Sequence, residues 1–308
     1  MKKLISLLLC LSLLALCGCG SQPQEPEQKK QNDKISVVTT LFPCYDFLRE
    51  IAGDKVDLKM LLPFGGESHT YEPTLQDMIA VSECDIFISV GGDIDPWAEE
   101  LWKASVNSEQ KSISLLEIAG EEHHHKEGEE HHEDTDGHVW TSPKRVMKIV
   151  KFISEALCDS DPKNTEVYSR NRTKYLEKLN LLSGELEALG GKYSDKTLVF
   201  ADRFPFSYLC LDYGFKHLSA LPGCSSDSEP TITAVNNLIT RVKEEKTPAV
   251  LYTETADETI AKTVMNATGC GGKLLHSCHS VSEDQFLEGE SYLSLMNKNL
   301  EVLKEVLE

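Results

Sequence analysis

The pattern that most restricts the fold of this chain is a regular alternation of short apolar runs with helical stretches. "ISVVTTLF" at 35–42 is β-branched and apolar, which is typical of a buried strand. "CYDFLREIAGD" follows with helical spacing, and "VDLKMLLP", "IFISVGGDID" and "KSISLLEI" repeat the strand pattern with helical segments between them. Parallel strands need crossover connections, so this alternation predicts a parallel sheet flanked by helices.

A second α/β set follows a long helical pattern. Apolar side chains recur at helical spacing from Asn164 to Leu189, and the glycine pair at 190–191 ends the pattern. Four further strands are predicted at "KTLVFAD", "FKHLSALP", "AVLYTE" and "GGKLLHS". We therefore predict two similar α/β lobes joined by one long helix. The predicted boundaries are 34–160 for the N-terminal lobe, 161–190 for the linking helix and 191–308 for the C-terminal lobe.

The first residues have the features of an export signal. Lys2 and Lys3 precede an apolar stretch over 4–16 that is short for a membrane span. Cys19 follows the small residue Gly18 and resembles the lipid-modified first residue of a bacterial lipoprotein. We expect a lipoprotein signal peptide over 1–18 and a disordered tether over 19–33, which is rich in Gln, Glu, Pro and Lys. A plain secretory signal and a retained anchor are the alternatives.

The formal net charge is −19, from 31 basic and 50 acidic residues. Such a surface repels nucleic acid and anionic lipid headgroups, which are negatively charged. Proteins that bind them neutralise this charge with Lys and Arg. The charge therefore excludes nucleic acid as a partner and suits a protein that meets cations.

Three histidines stand where α/β sheets place ligand groups, at the junction between a strand and a helix. His69 lies in "PFGGESHTYEPT", His138 in "DGHVWTSP" and His276 in "LLHSCHS", with His279 three residues further on. Imidazole nitrogen suits zinc, whereas manganese prefers oxygen-rich sites. A metal site in the cleft is therefore predicted from His69, His138 and His276, although a single junction histidine is more often a surface or capping residue.

An acidic, histidine-rich run interrupts the first lobe. The stretch 120–140 contains six histidines and eight carboxylates. It can be a weak collector of zinc or a solvated charged loop without a role; these alternatives apply to His123, His124, His125, His131 and His132. His138, at its end, is the histidine with a defined context.

The motifs "GGESHTYEPTLQD", "DGHVWTSPKRV", "FPFSYLCLDYGFKHL" and "YLSLMNKNLEVLKEVL" resemble the solute-binding lipoproteins of zinc and manganese ABC transporters. The likeness runs in order over nearly the whole mature chain. It implies metal ligation by His69 and His138, a rigid linking helix and a metal cleft between the lobes. It also implies a monomeric, non-enzymatic receptor, anchored on the extracytoplasmic face of the membrane, that delivers its ion to an ABC permease.

The sequence departs from that family at the third ligand. The residue expected there, a His or Glu, is Arg203, whose guanidinium cannot ligate a cation. Arg203 can turn away to pair with Glu254, or Asp202 can enter the site instead. His276 stands at about the position of the family's fourth ligand, an Asp. The His-rich loop and His276 both favour zinc over manganese or iron.

Three questions stay open at this point. Cys224 and Cys278 both follow predicted strands of the second lobe and can form a disulfide, remain thiols or ligate metal. A surface metal-scavenging protein or adhesin is an alternative function. A zinc hydrolase is a further one, although the chain lacks a His-Glu-x-x-His motif.

Overall fold

Two four-stranded parallel sheets form the framework of the protein. The computed structural model describes residues 34–105, 109–120, 136–221 and 230–308. These described residues lie within one compact unit spanning Lys34–Glu308. None of the helices in these ranges is long and apolar enough to cross a bilayer.

The first sheet has the strand order β2-β1-β3-β4, with every pair parallel. Its strands and helices are β1 (Ser36–Thr39), α1 (Phe42–Ala52), β2 (Asp57–Met60), α2 (Leu75–Glu83), β3 (Ile86–Ser89), α3 (Pro96–Ala104), β4 (Lys111–Ser114) and α4 (Leu115–Ala119). We call this part the N-terminal lobe.

The second sheet has the equivalent order β6-β5-β7-β8, also fully parallel. Its elements, which we call the C-terminal lobe, are β5 (Thr197–Phe200), α7 (Ser207–Tyr213), β6 (Lys216–Ser219), α8 (Ile232–Glu245), β7 (Ala249–Tyr252), α9 (Thr259–Thr268), β8 (Gly271–Leu274), α10 (Glu283–Leu287) and α11 (Tyr292–Leu307). The prediction of two similar parallel α/β lobes is confirmed.

Two helices connect the lobes, α5 (Pro143–Ser160) and the 28-residue α6 (Thr165–Lys192). The predicted linking helix started at 161, but Pro162–Asn164 forms a 3-10 turn and α6 begins after it. Helix α6 packs against α5, α1 and α11. The largest apolar cluster contains side chains of α6, such as Leu182 and Leu186, together with side chains from both sheets.

The predicted fourth strand, "KSISLLEI", is shorter than expected. Strand β4 ends at Ser114, whose Oγ accepts a hydrogen bond from the Glu117 N–H at 3.3 Å. A serine that accepts from the third residue after it is a helix N-cap, so the chain turns into α4 at this point.

Contacts between the lobes involve the loops after β2 and β8, the 3-10 helix Val139–Thr141 and the start of α11. Trp140 Nε1 donates to the Ser277 carbonyl at 2.8 Å, and Tyr292 Oη donates to the Trp140 carbonyl at 2.7 Å. Gly65 N–H donates to the Val281 carbonyl at 2.9 Å. The loops after β2 and β8 lie at the carboxyl ends of parallel strands, the edge where α/β proteins bind ligands.

Candidate metal centre

His69 is held in one orientation by a backbone carbonyl. It lies between β2 and α2, and its Nδ1 is 2.8 Å from the carbonyl oxygen of Asp93. A carbonyl oxygen can only accept a hydrogen bond, so Nδ1 carries the proton and Nε2 keeps its lone pair. Metal-ligating histidines are usually oriented in this way, with the N–H of the other ring nitrogen donated to an oxygen acceptor.

His138 is held in the same way by a carboxylate. It is 3% exposed and directly precedes the 3-10 helix Val139–Thr141. Its Nδ1 is 2.6 Å from Asp136 Oδ1, which also accepts the backbone N–H of His138 at 3.0 Å. Burial raises the pKa of Asp136, but the hydrogen bond and charge of His138 outweigh it, so that the net pKa lies below the usual range. The carboxylate therefore accepts the hydrogen bond of Nδ1–H, and Nε2 is the ring atom that can ligate a metal.

His279 reaches the other two histidines from the C-terminal lobe. It is 6% exposed, and its Nε2 is 2.6 Å from the hydroxyl of Ser68, the residue before His69. The His279 ring centre is 5.6 Å from that of His69 and 5.5 Å from that of His138. The loop turns sharply just before it, because Cys278 adopts a φ of +61°.

Together the three side chains form a group with the geometry of a metal site. One ligand atom from each of His69, His138 and His279 lies within 4.8 Å of the others. Zinc is commonly held by three protein ligands with a fourth position left to water. A set of three imidazole ligands fits zinc better than manganese, which prefers oxygen ligands.

The structure places the two histidines of "LLHSCHS" in different surroundings. His279, not His276, joins His69 and His138 in this group. The backbone N–H of Cys278 donates to His276 Nδ1 at 3.0 Å, and the Asn299 side chain binds both the N–H and the carbonyl of His276. These hydrogen bonds fix His276 within the loop after β8 and stabilise the backbone of that loop.

Glu254 supports the same loop. Its carboxylate accepts the Ser277 N–H at 2.8 Å and the Ser277 hydroxyl at 2.6 Å, and it lies 3.3 Å from His276 Nδ1. The described ion pairs of Glu254 do not include Arg203, which is half-buried after β5. Asp202, the other candidate near that position, accepts hydrogen bonds from the N–H and hydroxyl of Thr253. Neither Arg203 nor Asp202 belongs to the histidine group.

His279 is the residue that sequence reasoning missed. The signal was present, since His276 and His279 flank the same short loop after β8, but spacing alone could not rank them. The choice depends on contacts from Glu254 and Asn299, which are distant in the sequence.

Other predicted features lie outside the described residues: the signal peptide and tether over 1–33 with Cys19, most of the acidic run with its five clustered histidines, and Cys224. The choice between a Cys224–Cys278 disulfide, free thiols and metal ligation by these cysteines therefore lies outside the described residues. Cys278 itself is fully buried, and burial raises the pKa of its thiol well above the usual range.

Comparison with known proteins gives a consistent picture. A family model described as "Zinc-uptake complex component A periplasmic" matches residues 37–306. The zinc-binding lipoprotein AdcA of Streptococcus pneumoniae serotype 4 is 33% identical over 313 residues, covering 99% of this chain and 61% of that protein. The chain thus spans less than two thirds of the length of that relative.

A relative of similar size also matches. The high-affinity zinc uptake system protein ZnuA of Bacillus subtilis is 32% identical over 307 residues, covering 97% of this chain and 95% of that protein. Among solved structures, the Zn(II)-bound ZnuA-like domain of S. pneumoniae AdcA aligns with a TM-score of 0.73 at 29% identity, covering 89% of this chain and 99% of that one.

Proposed function

Because the chain belongs to the family of the periplasmic zinc-uptake complex component A, we propose that it is an extracytoplasmic receptor for Zn²⁺. The ion is bound as cargo between the two lobes and is delivered to the permease of an ABC transporter. The observation that carries the proposal is the convergence of His69, His138 and His279, with one ligand atom each inside 4.8 Å.

The protein's own residues prepare two of the three ligands before metal arrives. The Asp93 carbonyl and the Asp136 carboxylate accept hydrogen bonds from Nδ1–H of His69 and His138, so each ring presents Nε2 as the atom that can bind a cation. Ring orientation is set in advance as well, which reduces the entropy lost on binding. His279 completes the group from the opposite lobe and links metal binding to contact between the lobes.

The same three imidazole ligands favour zinc over manganese or iron, which are the alternative metal ions for a receptor of this kind. Oxygen-rich sites suit manganese, and all three grouped ligands here are imidazoles. No catalytic step is proposed. The relatives from S. pneumoniae and B. subtilis are named for zinc binding and zinc uptake, which supports transport over scavenging or hydrolysis.

The proposal includes attachment to the extracytoplasmic face of the membrane through a lipid on Cys19, and action as a monomer. A single acyl chain binds a membrane marginally, so stable anchoring needs the two-chain modification that this position resembles. Mass spectrometry of Cys19 in membrane fractions, with Cys19→Ala as the control, tests this part of the proposal.

Calorimetric zinc titration tests the function. We expect one tight site both in the mature chain and in a variant lacking residues 121–135, with additional weak binding only in the mature chain. Manganese should bind more weakly in competition. Absence of tight zinc binding in the mature chain contradicts the proposal, and loss of the tight site on deletion moves the receptor site to the acidic run.

A further inference from the structure

Asp95 occupies a helix N-cap position without capping the helix. It directly precedes α3, and the Asp95 carbonyl accepts the Ala98 N–H at 2.8 Å, but its side chain accepts no hydrogen bond from that helix. Aspartate is among the best N-cap residues, and an N-cap bond is worth about 1 kcal/mol. The carboxylate therefore accepts its hydrogen bonds from groups outside that helix.

Those partners fix a turn at the end of β3. Asp95 Oδ2 accepts the Thr40 hydroxyl at 2.6 Å and the Val90 N–H at 2.9 Å, and Oδ1 accepts the Gly91 N–H at 2.7 Å. The side chain is 1% exposed. A carboxylate buried this completely is costly unless several donors satisfy it, and here three donors do so. Asp95 thus ties the turn 91–95 to the ends of β1 and β3.

This turn orients His69. The Asp93 carbonyl, in the middle of the turn, binds His69 Nδ1 at 2.8 Å. Just beyond the turn, Trp97 Nε1 donates to the Ser68 carbonyl at 2.9 Å. The loop that contains His69 is therefore attached to the Asp95 region at two adjacent points.

The same turn supports the backbone before His138. A Cβ atom added to Gly137 would lie 2.4 Å from Ile94 Cγ1 and 3.5 Å from the Gly91 carbonyl oxygen. The backbone at Gly137 therefore packs directly on the turn, with no room for a side chain. A shift of the turn would displace His69 through Asp93 and His138 through Gly137.

We propose that Asp95 is a positioning residue for metal binding, which sets the geometry of His69 and His138 through the turn 91–95 without touching the ion. Burial raises the pKa of Asp95, while its three hydrogen bonds oppose that rise. The inference rests on the proposed function, since it concerns the same metal site.

The test compares Asp95→Asn with Asp161→Asn in the full chain. Asp161 is a matched control because it is also buried, at 4% exposure, and accepts hydrogen bonds from Tyr168 Oη and Asn164 Nδ2 in the α5–α6 connection. Zinc affinity is measured by competition with a chromogenic chelator, so that weak sites do not contribute. The visible absorption of the cobalt-saturated protein reports ligand geometry, and metal-free thermal melts report stability.

We expect Asp95→Asn to weaken zinc binding by about 10- to 100-fold, the range for residues that orient metal ligands, and to shift the cobalt bands. Asp161→Asn should change stability without either effect. Equal changes in zinc affinity for the two variants, or an unchanged cobalt spectrum in Asp95→Asn, overturn the inference.

If Asp95→Asn does not fold, Thr40→Val decides the question, because it removes one donor to Asp95 and keeps the carboxylate. A several-fold loss of zinc affinity with shifted cobalt bands supports the positioning role, and wild-type values for both contradict it. A wild-type chain that binds no zinc is a separate result, because it refutes the proposed function and not the role of Asp95 alone.

Discussion

The two lobes share one strand order but orient the grouped histidines differently. His69 of the N-terminal lobe and His138 of the segment that follows it have Nδ1 atoms held by nearby oxygen acceptors. The C-terminal lobe presents His279, whose Nε2 contacts Ser68 of the other lobe. Two of the grouped histidines are thus oriented locally, whereas the third is oriented by a residue of the other lobe. The group of three histidines therefore forms only where the lobes are in contact.

A second contrast lies inside one loop. His276 and His279 are three residues apart and both are buried, yet only His279 joins the metal group. His276 accepts the Cys278 N–H and supports the loop that presents His279. The loop therefore places His279 in the group of three histidines and His276 among hydrogen bonds that support the loop.

The largest expected effect is the loss of zinc affinity when His279 is replaced, compared with replacement of His276. His279→Ala should reduce zinc affinity by more than ~100-fold, since loss of a ligand costs more than loss of an orienting partner. His276→Asn, which retains a side-chain acceptor for the Cys278 N–H, should change affinity by less than about threefold on the same scale. Chelator competition measures both, and the reverse ranking would restore His276 as the ligand.

The next effect concerns the attachment of the C-terminal lobe to α6. A Cβ at Gly190 would lie 1.9 Å from the Tyr213 carbonyl oxygen, whereas one at Gly191 meets nothing within 4 Å. Gly190→Ala should therefore force α6 and α7 apart and lower the free energy of unfolding by about 1–3 kcal/mol. Gly191→Ala should be neutral or stabilising by up to ~1 kcal/mol, because alanine is the better helix former.

Urea unfolding of the metal-free chain measures both glycine variants. Zinc affinity of the folded Gly190→Ala protein then sharpens the comparison of the lobes. A displaced C-terminal lobe should weaken binding through His279 while His69 and His138 keep their local supports. Equal stability of the two variants would contradict the close contact between α6 and α7.

The smallest effect is a pH dependence from His276. Burial lowers the pKa of His276, and the nearby Glu254 carboxylate only partly offsets this. Below the unfolded pKa of about 6.5, the unfolded chain binds a proton that the folded chain does not, so stability falls as pH falls. One such group contributes at most ~1.4 kcal/mol per pH unit.

Metal-free unfolding at pH 7.5 and pH 5.5 measures this dependence. The wild-type protein should lose more stability over that range than His276→Asn, which has no proton to gain at this position. An equal loss of stability in the two proteins would show that His276 has the same pKa in the folded and unfolded states. This would contradict the expected pH dependence.

Much of the fold was predictable from the sequence because its signals are local. Apolar β-branched runs separated by helical spacing predicted the two parallel sheets, and the strand patterns "ISVVTTLF" and "KTLVFAD" contain β1 and β5. Local signals were also responsible for an error, since the apolar run after Ser114 reads as strand although the Ser114 hydroxyl caps a helix.

The sequence by itself determined the strand–helix order, the acidic surface charge and the two motifs that contain His69 and His138, because each of these depends on neighbouring residues. Only the tertiary structure decided which histidine of "LLHSCHS" enters the group and that Asp95 ties the turn beside both other histidines. Those outcomes depend on partners far along the chain, Asn299 for His276 and Thr40 for Asp95, and on a backbone turn at Cys278. These outcomes are set by contacts between residues far apart in the sequence, and such contacts cannot be predicted from the spacing of residues in a motif.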